Sequence, residues 1–140
     1  METDSVLFVS KERAIEKLQE RERAALDVLR AFAAVTREED MLGAIAALSR
    51  WNDETTRTIS EVFRKPWARE YYGAPIDFPA RRDDDELVRE IWNIVRYVEL
   101  RVRRLGNLIL TIRTAELEIM AVQEEAWHFV KAGHQLLARV

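Results

Sequence analysis

Cysteine is absent from this chain of 140 residues. Disulfide frameworks, cysteine-ligated zinc, iron–sulfur clusters and thiol nucleophiles are thereby excluded, and a reducing compartment is compatible with the composition. Histidine occurs twice, at His128 and His134, which leaves almost no candidates for a nucleophile–base pair. There is no glycine-rich phosphate loop, no Gly-x-Ser-x-Gly and no His-Glu-x-x-His. Glycine and proline are scarce, at 4 and 3 residues, and alternating strand-like runs are missing, so the chain reads as all-α. The longest N-terminal apolar run, Val6 to Val9, is too short for a signal-peptide core or a membrane span. The expectation is a cytoplasmic protein with no membrane contact.

The charges present are mixed along the chain: 22 basic against 25 acidic side chains, for a net charge of -3. Such a balance exerts no global pull toward nucleic acid or anionic lipid. The length suits one domain, 1–140, with a core that needs no covalent staples.

Ser10 before Lys11-Glu12-Arg13 has the character of an N-cap, because its oxygen can accept from the free amides of a first turn. A first helix is predicted from there to about Val35, with Ile15, Leu18, Ala25, Leu26, Leu29, Phe32 and Ala33 on its apolar face and Glu22 interrupting it. Thr36-Arg37-Glu38-Glu39 has capping-box spacing and opens a second helix. The stripe of that helix is Met41, Ile45, Leu48, Ile59, Val62 and Phe63, with polar Asn52 and Thr55 at its middle positions. A helix exposed or kinked near Asn52 is the simpler expectation, since a buried polar group without a partner costs about 1 to 3 kcal/mol. The alternative is a polar pocket inside the bundle.

Pro66 ends the second helix. Between about 66 and 82 the composition shifts to Trp67, Tyr71, Tyr72 and Phe78 among Pro66, Gly73, Pro75 and Pro79. Four aromatics argue against disorder. They either cap the open end of a bundle or form a recognition surface flanked by Arg64, Lys65, Arg69, Arg81 and Arg82, a combination suited to stacking with phosphate contact or to a protein partner. Asp83-Asp84-Asp85-Glu86 then complements the positive end of a helix dipole.

From Val88 onward apolar residues recur at steps of three and four. Val88, Ile91, Val95, Val98, Val102 and Leu105 form a third helix, and Leu105, Leu108, Ile112, Ala115, Ile119, Val122, Ala126, Phe129, Leu136 and Val140 continue the ladder. Gly106-Asn107 between them is predicted to turn the chain, which closes a four-helix bundle with long antiparallel helices. The alternative fuses helices three and four into a single helix of about 55 residues, ~80 Å long at the usual rise. Arg89, Arg96 and Arg103 recur every seven residues along one flank of the third helix, where a salt-bridge row competes with phosphate binding.

Glu125-Ala126-Trp127-His128 has the Glu-x-x-His spacing of di-iron carboxylate bundles. The heptad turns His128 outward, and a second such motif is missing, so no metal or other cofactor is expected. The same heptad leaves Met120, Trp127, Val130 and Leu137 as an apolar arc wider than one bundle seam requires, the composition of an oligomer contact. The resulting expectation is a non-enzymatic helical interaction or adaptor module that self-associates, most simply as a homodimer, with that arc and Trp67, Tyr71, Tyr72 and Phe78 as its contact surfaces. The alternative is a small helical subunit of a nucleoprotein assembly that contacts nucleic-acid backbone through Arg89, Arg96 and Arg103.

Overall fold

The computed structural model describes residues 6–114. Within them the chain is all-helical, with four helices packed against one another as a bundle: α1 (Lys11–Ala33), α2 (Glu38–Val62), α3 (Trp67–Gly73) and α4 (Glu86–Thr114). Met120, Trp127, Val130 and Leu137, the Glu125–His128 motif, and the ladder beyond Ile112 lie outside the described residues.

Each helix start has an identifiable cause. Ser10 caps α1, its hydroxyl accepting from the Arg13 amide at 3.1 Å. At the head of α2 the expected Thr36–Glu39 box is not the pair used. Asp40 reaches back instead, its Oδ2 accepting from the Thr36 and Arg37 amides at 3.1 and 3.2 Å. These bonds to the ionised form hold the Asp40 carboxyl below its ordinary value. The acidic run does open α4: Asp85 Oδ1 accepts from the Leu87 and Val88 amides at 2.9 and 3.1 Å.

α1 is the central element, packing on both α2 and α4, while α3 bridges α2 and α4. Lys17 faces Glu61 and Arg21 faces Glu54, so α1 and α2 run antiparallel. Ala14, Leu18, Ala25, Val28 and Phe32 form the buried face of α1. Leu26, expected inside, is about half exposed, and Val28 takes the inward position. α2 is rotated in the same sense: Met41, Ala44, Trp51, Thr55, Ile59 and Val62 are buried while Ile45 faces outward. The reason is Trp51, whose large ring gains more from burial than Ile45 would and whose indole N–H is satisfied by the Arg21 carbonyl at 2.9 Å.

Two expectations about chain path are corrected. Gly106 does not turn the chain; α4 runs through it without a break to Thr114, and Gly106 has no positive φ. Leu105, Leu108, Ile109 and Ile112 bury one continuous face across that point. A glycine in a helix carries only a modest propensity cost, which packing on both sides overrides. The second correction concerns the connection at 66–82: its first half is the seven-residue helix α3, leaving residues 74–85 as the loop.

The segment before α1 closes the lower end of the bundle. Phe8 donates its amide to the Val62 carbonyl at 2.8 Å and Arg64 donates to the Val6 carbonyl at 2.9 Å, giving an isolated antiparallel bridge of Leu7 with Phe63. Leu7 is almost fully buried there. Among the described residues no helix is long and apolar enough to cross a membrane.

Candidate functional site

The aromatic residues of 66–82 divide into structural and surface members. Trp67 is buried edge-on against Phe63, ring centroids 5.5 Å apart. Tyr72 is buried too, its hydroxyl donating to Asn52 Oδ1 at 2.8 Å. Tyr71 is half-buried, and its hydroxyl accepts from Asn107 Nδ2 at 2.7 Å. Three of the four rings therefore hold α3 in place. Phe78 lies beyond α3, half-buried on the loop.

The Asn52–Thr55 stripe is explained by the same contacts. α2 is neither broken nor exposed there: Thr55 is fully buried and Asn52 is half-buried against Tyr72. The Thr55 hydroxyl lies beside the Tyr72 oxygen without a hydrogen bond of ordinary geometry. Burial raises the Tyr72 phenol well above its ordinary value, so it stays a proton donor at any physiological pH. The inward polar stripe is a docking point for α3.

Two arginines of α4, Arg101 and Arg104, hold the other side of α3. Arg101 is 7% exposed. Its Nη1 donates to the Ala74 carbonyl at 3.0 Å and also to the Tyr72 carbonyl, and its guanidinium lies 4.9 Å from the Tyr97 ring centre and 5.5 Å from that of Tyr72. Arg104 donates to the Tyr71, Tyr72 and Ala74 carbonyls and, through Nη2, to the Pro75 carbonyl at 3.1 Å. A short helix ends with unpaired carbonyls, and here two guanidinium forks from α4 satisfy them. Burial, together with the nearby Arg101 charge, lowers the Arg104 pKa from its ordinary value.

Phe78 and Arg96, drawn from two separate sequence features, meet in one hollow. Phe78, Pro79, Trp92, Val95, Arg96 and Glu99 line an open depression of about 500 Å³ between the loop and the first half of α4. The loop is docked beside it: Arg81 donates its amide to Asn93 Oδ1 at 3.1 Å and sets its guanidinium 5.8 Å from the Trp92 ring centre. Trp92 becomes a wall of this hollow only because Phe78 and Pro79 of the loop lie beside it. The rim carries the Arg96–Glu99 ion pair at 3.2 Å.

The arginine row is not one surface. Arg89 is half-buried and donates to the Asp83 carbonyl at 3.3 Å, Arg96 pairs with Glu99 on its own helix, and Arg103 is exposed. Glu22, the break in the apolar face of α1, is half-buried and lies against α4 at Gly106, where an added Cβ would stand 3.6 Å from its Oε2. Burial raises its carboxyl pKa above the ordinary value, with Arg113 and then Arg23 opposing.

Among the described residues no three histidine or acidic side chains gather as metal ligands would. No family model matches the chain, nor does any curated protein or solved structure.

Proposed function

We propose that this chain is a non-enzymatic helical interaction module of the cytoplasm that self-associates, with the hollow between the 74–85 loop and α4 as a contact surface. The observation that carries the reading is the lining of that hollow. Phe78, Pro79, Trp92 and Val95 present apolar walls beside an ion pair, and aromatic residues surrounded by a polar rim are the usual composition of a protein contact. Leu42, 78% exposed, and Ile45 three residues on add an apolar strip on the outer face of α2. Among the described residues no constellation of acid, base and nucleophile competes with this reading: the raised carboxyl of Glu22 is directed at a helix–helix contact, and the buried Tyr72 phenol is committed to Asn52.

Light scattering after size-exclusion chromatography tests the proposal. The wild-type chain is expected at twice its 16.4 kDa, and Trp92→Glu is expected to shift it toward the monomer by placing a charge on the apolar wall. A monomeric wild type at high micromolar concentration would refute self-association. A dimer that persists in Trp92→Glu would move the contact away from this hollow, and Trp127→Glu then tests the apolar arc read from the heptad.

A further inference from the structure

A second hollow, sharing no lining residue with the first, lies where the N-terminal segment crosses the end of α2. Phe8, Ile59, Ser60, Phe63, Arg64, Lys65, Pro66 and Arg69 surround a space of about 410 Å³. Three of these residues are cations and none is a carboxylate, on a chain whose net charge is -3. Glu70, next to Arg69 in sequence, is not among the lining residues, and Glu61, next to Ser60, is drawn toward Lys17 on α1 at 4.0 Å. Arg64, Lys65 and Arg69 are all exposed, and among the described residues none of the three is paired with a carboxylate. Like charges at one surface repel, and such a cluster costs stability unless an anion is present.

The geometry adds a flat apolar element to the charge. Phe8 is 53% exposed, and its ring lies 4.6 Å from the Arg64 guanidinium carbon. Arg64 Nε donates to the Leu7 carbonyl at 3.2 Å, which fixes the fork beside the ring and leaves its terminal nitrogens for another acceptor. Arg69 reaches the Ser60 hydroxyl at 3.3 Å, a weak bond that an anion can replace. Phe8 stays in place because its amide is tied to the Val62 carbonyl. A ring held on a backbone bridge beside three converging cations matches a ligand with a planar ring and a multiply charged anionic group.

We propose that this hollow binds a nucleoside phosphate, the base stacking on Phe8 and the phosphate held by Arg64, Lys65 and Arg69. The same chemistry is offered by a free mononucleotide and by one nucleotide of an exposed single strand. A phosphate dianion uses all three cations, whereas a carboxylate is satisfied by one. The site is independent of the self-association proposed above.

The test is calorimetric titration of the full chain with AMP, adenosine and inorganic phosphate at low ionic strength, alongside anisotropy of a fluorescein-labelled dT8 strand. Saturable AMP binding is expected, at least tenfold tighter than either adenosine or phosphate and weakening as salt is added. Labelled dT8 that binds and is displaced by AMP identifies a strand as the source of the nucleotide; AMP binding without dT8 binding identifies the free nucleotide. Lys65→Glu with Arg69→Glu should abolish binding, Phe8→Leu should weaken it about tenfold, and Arg103→Glu, the same charge change elsewhere, should leave it intact. All these positions are exposed, so an unchanged thermal melt is expected for each. Absence of AMP binding in the wild type, equal affinity for adenosine or phosphate, or equal loss in Arg103→Glu would overturn the proposal.

Discussion

Gly106 shows how a single residue is decided by its neighbours. In the helical conformation observed, an added methyl meets only Glu22 Oε2 at ordinary contact distance, and alanine loses less backbone entropy on folding than glycine. Gly106→Ala is therefore expected to stabilise the protein by about 0.5 to 1 kcal/mol, read as a higher midpoint in chemical denaturation. A glycine in a left-handed turn would respond with the opposite sign. Glu22 yields a second outcome at this scale. Its carboxyl pKa is raised in the folded chain, so the folded state holds its proton more tightly than the unfolded state. This contribution favours folding below the ordinary value of 4.5 and is lost as pH rises from there through the raised folded value. Glu22→Gln should accordingly be more stable than wild type near neutral pH, with the advantage shrinking as pH falls through that window in urea titrations. An advantage independent of pH would show that burial of the charge is not its cause.

Among the elements, α3 depends most on partners. Seven residues do not sustain an isolated helix, because nucleation outweighs the few bonds gained. It persists because Trp67, Ala68 and Tyr72 are buried and because Arg101 and Arg104 complete its C-terminal carbonyls. Arg101→Met removes one of the two forks while retaining much of the apolar stem, and leaves the Tyr72 and Ala74 carbonyls to Arg104 alone. The expected loss is about 1.5 to 3 kcal/mol, the worth of hydrogen bonds from a charged donor. Tyr72→Phe removes only the bond to Asn52 and should cost about 1 kcal/mol. A double-mutant cycle of these two measures their coupling, and strict additivity would mean that α3 is not held as one unit between α2 and α4.

For the molecule as a whole, α1 is the shared wall: it contacts α2 on one side and α4 on the other. Leu18 is fully buried in it. Leu18→Ala is expected to destabilise by about 2 to 5 kcal/mol and to lower the far-ultraviolet and tryptophan-fluorescence midpoints together, since Trp51 of α2 is bonded to the same wall through the Arg21 carbonyl. Separate midpoints would show two independently folding halves. The N-terminal segment belongs to this scale as well, because Leu7 and the bridge to Phe63 seal the end of the bundle and set Phe8 beside Arg64. The Arg64 bond to the Leu7 carbonyl joins positions 57 apart in sequence, and no local periodicity encodes it.

The helical class, the Ser10 cap and the acidic start of α4 were legible from the sequence, because caps and three-to-four periodicity act within a few residues, whereas the second helix stops at Val62, ahead of Pro66, where Phe63 bridges to Leu7. The rest depends on comparisons between distant residues. Whether Trp51 or Ile45 turns inward was settled by the carbonyl of Arg21 on another helix. Thr55 is enclosed where Tyr72 packs beside it, although its hydroxyl finds no bond of ordinary geometry, and the path through Gly106 was settled by the continuous burial of Leu105, Leu108 and Ile112. The roles of Arg101 and Arg104 have the same origin, since a cation on a helix flank reads as solvated until a segment with unpaired carbonyls packs beside it. Local propensities differ by less than about 1 kcal/mol per residue, whereas burying a large side chain or satisfying a polar group is worth more. Where the two disagreed, tertiary contact decided.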